Sequence, residues 1–108
     1  MKNYALLPSE ITNVCEDMLR LFDVKRMVVF GIKNDEKCKG VCDFDLCVVA
    51  DSIDDKNIWL KKAYLEIDSD IPFDLFLYTE KEWDDCIKFS ESFASRINRK
   101  GSVVYEKD

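Results

Sequence analysis

Residues 27–46 read MVVFGIKNDEKCKGVCDFDL, and the fold of the whole chain turns on this stretch. The apolar run Met27–Phe30 predicts a short strand beginning at Lys25 and ended by Gly31. The polar segment 32–40 carries Lys33, Lys37 and Lys39 and closes on Gly40, which predicts a turn or a single helical turn. The chain re-enters an apolar run from about Cys42 to Ala50, a second strand. Side chains alternate faces along a strand, so Asp43 and Asp45 project the same way, about 7 Å apart along the backbone. Two like charges on one face of an otherwise apolar strand repel each other and lose solvation. A divalent cation with hard oxygen ligands, magnesium in particular, is the most economical way to offset that cost.

Upstream, Leu7-Pro8-Ser9-Glu10 predicts a helix start with Ser9 as N-cap, and Ile11, Val14, Met18, Leu21 and Phe22 keep helical spacing to about Phe22. Downstream, Ser52 with Asp55 resembles a capping box that opens a helix carrying Ile58, Trp59, Ala63 and Ile67. Ser69-Asp70-Ile71-Pro72 breaks it, and Phe73–Tyr78 is a third strand with Pro72 at its entrance. Thr79-x-x-Glu82 is a clearer capping box, starting one helix with Trp83, Ile87, Ser90, Ala94 and Ile97 along a single stripe. Gly101 helps end that helix, and Ser102–Tyr105 adds a short last strand. Trp59 and Trp83 sit on helical stripes and are expected in the core. The alternation predicts one α/β (α+β) domain over residues 1–108, a small mixed β-sheet with helices packed on it.

Composition narrows the function classes. The chain has 108 residues, 47% hydrophobic and 35% charged, which suits one soluble globular domain. A net charge of −6, from 22 acidic against 16 basic side chains, argues against non-specific nucleic-acid binding. No apolar run approaches the roughly 18 residues of a membrane span. The five cysteines are Cys15, Cys38, Cys42, Cys47 and Cys86. With no secretory signal in view, reduced thiols in a cytoplasmic protein are expected. Cys38-x3-Cys42 invites a zinc reading, but the chain has no histidine and no second tight cysteine pair.

Asp74 is the third carboxylate of interest, because an aspartate inside Phe73–Leu77 disfavours the strand and is costly to bury. If its strand lies beside that of Asp43, three carboxylates gather at a site able to hold two magnesium ions, about 3.5–4 Å apart in two-metal phosphoryl-transfer enzymes. Each feature alone has a plainer reading. An Asp-x-Asp pair is commonly a solvated strand end or a partner for Lys33, Lys37 or Lys39, and a lone Gly31 is commonly a turn residue.

The combination is more specific. Gly31, eleven residues, Asp43-Phe44-Asp45 and a later strand aspartate resemble the minimal nucleotidyltransferases of the DNA polymerase β superfamily. The family pattern is Gly-Ser, ten residues, then Asp-x-Asp, and Gly31-Ile32 stands in the Gly-Ser place. Helix 9–22 resembles the family's leading helix, Phe73-Asp74-Leu75 its third-aspartate strand, and residues 99–105 its tail. The resemblance implies a nucleotidyltransferase fold in which Asp43 and Asp45 ligate both magnesium ions. Asp74 would complete the catalytic metal site and help activate the acceptor hydroxyl. The nucleotide-binding segment would be Gly31, Ile32 and Lys33, facing the phosphates of a nucleoside triphosphate, ATP by expectation. The reaction would be attack on the α-phosphorus, transferring AMP and releasing pyrophosphate.

The chain has no residues to spare for an acceptor domain, so the acceptor, a small molecule or a second protein, is expected to come from outside. Minimal nucleotidyltransferases are often paired with a small helical HEPN-type partner protein in toxin–antitoxin modules, and some adenylylate a tyrosine on the toxin. The sequence departs from the pattern where Ile32 replaces serine, and where Asn34, Glu36 and Cys42 stand in the usual places of alanine, glycine and serine. Those departures motivate a second reading, a catalytically degenerate module that acts as antitoxin or scaffold by contact. A third reading is an acidic cluster that is purely structural. The nucleotide, the acceptor and whether the chain forms a homodimer stay open at this level.

Overall fold

The computed structural model describes residues 1–38 and 40–108, so Lys39, and with it the side chain of Cys38, lies outside the described set. The elements run α1 Ser9–Leu21, β1 Arg26–Asp35, a 3-10 turn Glu36–Cys38, β2 Gly40–Ala50, α2 Lys56–Glu66, β3 Phe73–Thr79, α3 Glu80–Ile87, α4 Phe93–Lys100 and β4 Ser102–Glu106. The sheet order is β3-β2-β1-β4. The β2–β3 pair is parallel, joined through α2, while β1 is antiparallel to both β2 and β4. The mixed α+β architecture is the one the sequence predicts.

Both faces of the sheet are covered. On one, α1 buries Ile11, Val14, Cys15 and Met18, a run at helical spacing, against Met27, Val29, Leu46 and Val48. From α2 come the buried Ala63 and the half-buried Trp59, whose ring stacks on Phe22 at a centroid distance of 4.4 Å. On the other face, Val28, Cys47 and Val49 pack against Trp83 of α3 and Ala94 and Ile97 of α4. Leu46–Ala50 is therefore buried on successive residues, the continuous apolar run expected of a strand with helices on both sides.

Several boundaries differ from expectation, each for a local reason. Strand β1 continues through Gly31 to Asp35 because residues 33–35 find antiparallel partners in Asp43, Val41 and Gly40, so the polar segment is mostly paired hairpin. Helix α1 has Pro8 as N-cap without a side-chain cap bond, and Ser9 is already inside the helix. Helix α2 is capped by Asp55, whose carboxylate accepts from the Asn57 N–H at 2.9 Å, and not by Ser52. The Thr79–Glu82 capping box forms as read. The helix it starts ends at Ile87, however, and α4 begins anew at Phe93. Serines cause that break. The Ser92 hydroxyl donates to the Cys86 carbonyl and the Ser95 hydroxyl to the Phe89 carbonyl, both at 2.6 Å, while Ser92 caps the Ser95 N–H. Side chains thus take the carbonyls that a continuing helix would have used.

Cys15 and Cys47 are buried free thiols and Cys86 is a half-buried one. Cys42 is disulfide-bonded, so the expectation of reduced thiols fails there; it rested on compartment, not on geometry. Among the described residues, no helix is long and apolar enough to cross a membrane.

Gly101 is the α4 C-cap, with an ordinary φ of −82°. A Cβ at this position would collide with Val28 Cγ1 and stand 2.7 Å from the Ile97 carbonyl oxygen. Glycine is required here by close packing of the turn on β1, not by backbone conformation. Gly101→Ala is expected to lower unfolding stability by about 1–3 kcal/mol, the usual range for overpacking. An unchanged urea midpoint at unchanged slope would refute that contact.

Candidate active site at the open end of the sheet

The parallel register sets Asp45 of β2 directly beside Asp74 of β3. Asp43 lies two residues earlier on the same face of β2. Across the antiparallel side, Lys33 pairs with Asp43 and Phe30 with Asp45. Helices α3 and α4 cover this face over Cys47 and Val49 but leave its aspartate end open. A shallow pocket there is lined by Lys33, Asp43, Asp45, Pro72, Phe73 and Asp74. The structure thus brings Asp43, Asp45, Asp74 and Lys33 together. Ile32 is 39% exposed and stands outside the pocket.

Gly31 is not a turn that ends the strand; it is the first residue of a β-bulge. Between the pairs Phe30↔Asp45 and Lys33↔Asp43, β1 advances three residues while β2 advances two. The next step, to Asn34↔Val41, advances one against two and restores the register. Gly31 has φ +60°, a left-handed conformation that side chains disfavour, and a Cβ on it would collide with Asp45 Oδ2. Gly31 is therefore the cradle of the Asp45 carboxylate. Gly31 and Ile32 fall within the bulge without ladder partners and Lys33 pairs with Asp43, so the segment expected to face phosphates is a β-bulge leading into the paired residues 33–35.

Electrostatics mark Asp45 as the sensitive group. Burial pushes its carboxyl above the ordinary value of 3.8, Asp74 and Asp43 push it further, and Lys33 opposes them. The donor set, three carboxylates with neither thiolate nor imidazole, fits a hard cation in kind, and Gly31 leaves room for one of them. Among the described residues, however, no group of three or more Asp, Glu, Cys or His side chains is arranged to hold a metal ion. Holding one would require these side chains to turn toward each other from positions that the strands fix.

Sequence reasoning missed the aromatic border of this site. Phe30 of β1 and Phe76 of β3 flank β2 and meet over it at a centroid distance of 5.6 Å. Phe93, the first residue of α4, closes a triangle at 5.8 Å from Phe30 and 5.2 Å from Phe76. Period-two alternation from Asp74 could have placed Phe76; nothing in the sequence placed Phe93, which depends on the α3–α4 break. A second pocket at the opposite end of the sheet includes Lys25, Arg26, Glu80 and Glu106. There Lys25 pairs with Glu80 at 2.7 Å and Arg26 with Glu106 at 2.8 Å. No family model matches the chain, and no curated protein or solved structure does.

A carboxyl whose folded pKa is raised stabilises the fold fully only below its unfolded pKa, and that contribution is lost as pH rises through the folded value. At neutral pH the ionised Asp45 is thus destabilising. Metal-free Asp45→Asn is expected to unfold at a higher temperature than the parent at pH 7, with the difference shrinking as pH falls toward 3.8. A lower or pH-independent unfolding temperature would contradict the electrostatic assignment.

Proposed function

We propose that the protein is a magnesium-dependent nucleotidyltransferase that moves AMP from ATP to a hydroxyl of a partner protein. The observation that carries this reading is the placing of Asp43, Asp45 and Asp74 on one open sheet face, with Asp45 and Asp74 in register on parallel neighbours. Asp74 is exposed on the edge strand β3, but Asp45 is poorly explained by stability alone, because its burial and the repulsion of Asp74 and Asp43 both oppose folding. The resemblance to minimal nucleotidyltransferases supplies the reaction class, and a HEPN-type helical protein is the acceptor it suggests.

In this reading Asp43 and Asp45 hold the metal ions, and Asp74 completes the site nearest the acceptor. Magnesium, if held by these carboxylates, would supply charge neutralisation for the triphosphate and would lower the pKa of the attacking hydroxyl. The chain's own residues do the remaining work. Asp74 accepts the hydroxyl proton as the new P–O bond forms and the α–β phosphoanhydride bond breaks, pyrophosphate leaving with the bonding pair. Lys33, held opposite Asp43 by the ladder, supplies positive charge toward the phosphates. Gly31 keeps the Asp45 carboxylate against the bulge, where a larger residue would displace it.

One observation favours a second reading, a degenerate module that neutralises or scaffolds its partner by contact. Strand pairing of residues 33–35 puts a bulged hairpin where a glycine-rich phosphate loop is expected, and Ile32 offers no hydroxyl. Calorimetric titration with ATP separates the two. The first reading expects binding that requires magnesium and is lost in the Asp43→Asn, Asp45→Asn double variant. ATP binding that ignores either magnesium or the double substitution, or no binding at all, would discard it in favour of contact alone.

A further inference from the structure

The Phe30–Phe76–Phe93 triangle is not needed to seat α4, whose buried Ala94 and Ile97 already dock it on Val28, Cys47 and Val49. Phe93 instead stands beside that stripe and keeps 42% of its surface exposed, a large aromatic left at the surface. Its ring neighbours, Phe30 and Phe76, belong to the strands around the site. Phe30 is the cross-strand neighbour of Asp45, and Phe76 follows Asp74 by two residues on the same face. The triangle therefore borders the carboxylates directly. Its rings touch one another, tilted at 45° for Phe30–Phe76 and edge-on at 73° and 61° for the two contacts of Phe93. No hollow remains between them in which a cation could be caged. Among the described residues the lysine–ring contacts lie elsewhere, at Tyr78 and Phe22. What the triangle offers is the exposed part of the Phe93 ring, uncharged and held against Phe30 and Phe76 on the strands that carry Asp45 and Asp74 or pair with them.

We propose that this face is the base-binding platform of the site, on which the planar nucleobase of a nucleoside triphosphate stacks against Phe93 while its phosphates reach the carboxylate pocket. The platform rests on the nucleotidyltransferase reading and extends it, since it assigns base recognition to residues outside the Gly31–Lys33 segment. Stacking on a ring face is sequence-tolerant, because every base has a π-face. The platform accordingly favours base-bearing over base-free triphosphates more than it selects among bases.

The test compares the binding of ATP and of inorganic tripolyphosphate by the full chain in magnesium, using calorimetry. The parent protein is expected to bind both, ATP more tightly. Phe93→Leu keeps the apolar bulk without the ring and is expected to weaken ATP about tenfold, within the range for loss of one stacked base, and to leave tripolyphosphate unchanged. Phe93→Trp restores ATP affinity. Phe89→Leu, at an exposed ring outside the triangle, changes neither. Equal affinity of the parent for the two probes, or an unaltered ATP affinity in Phe93→Leu, overturns the platform and leaves the nucleotidyltransferase reading standing. Failure of the parent to bind either probe overturns that reading and the platform with it. A parallel measurement on the parent removes any dependence on how the variants fold. Nuclear Overhauser contacts between adenine protons of magnesium-ATP and the Phe93 ring are expected, and their absence in the bound state overturns the proposal.

Discussion

The structure depends on one constraint: β2 is central, and Leu46–Ala50 of it is apolar on both faces, so both must be covered. An edge position would leave one row of backbone groups unpaired and one apolar face wet. The chain meets the demand by pairing β2 with β1 on one side and β3 on the other, then laying α1 and α2 on one face and α3 and α4 on the opposite one. Short helices cannot cover the whole strand: α3 and α4 have 8 residues each. At about 1.5 Å per residue each spans roughly 12 Å, while β2 with 11 residues is about three times as long at about 3.3 Å per residue. The uncovered remainder is the stretch that carries Asp43 and Asp45. Burial of one half of β2 and openness of the other are thus two consequences of the same mismatch in length.

The sheet was largely legible because its signals are local and redundant. The apolar runs at Met27–Phe30, Cys47–Ala50 and Leu75–Tyr78 give three strands, and the Thr79–Glu82 box gives the start of α3. The three aspartates were legible for the same reason: a charge inside an apolar run stands out whatever its partners are. What was not legible depends on pairing across the chain. Gly31 has the same appearance in sequence whether it ends a strand or bulges within one, and only the partners that β2 offers to Lys33, Asn34 and Asp35 decide between them. Ser9 and Ser52 satisfied the residue preference of an N-cap without occupying one, since Pro8 and Asp55 stand where the chain actually turns into each helix.

The bulge has a consequence for the site beyond making room. By inserting one residue into β1 after Phe30, it puts Lys33 rather than Ile32 opposite Asp43, and so turns a cation toward the carboxylates. A one-residue change of register flips side chains to the other face. Without the bulge the pocket would hold three carboxylates beside an isoleucine. Gly31 and Lys33 are coupled in this sense: the backbone freedom of the first determines the electrostatic usefulness of the second. Ile32 lies outside the pocket, while Lys33, one residue on, lines it as the positive charge beside the carboxylates.

The break between α3 and α4 belongs to the same logic. Had the helix continued from Thr79 with its stripe of Trp83, Ile87, Ser90, Ala94 and Ile97, Phe93 would sit at a position set by α3. Ser92 and Ser95 instead take the carbonyls of Cys86 and Phe89, which ends one helix and caps the next within a few residues. The new helix is free to pack Ala94 and Ile97 on β1 and β2 with its first residue against Phe30 and Phe76. Two hydroxyl hydrogen bonds thus decide where an aromatic ring stands relative to Asp45. That is why the aromatic border cannot be found by reading periodicity: it is produced where the helical period is interrupted.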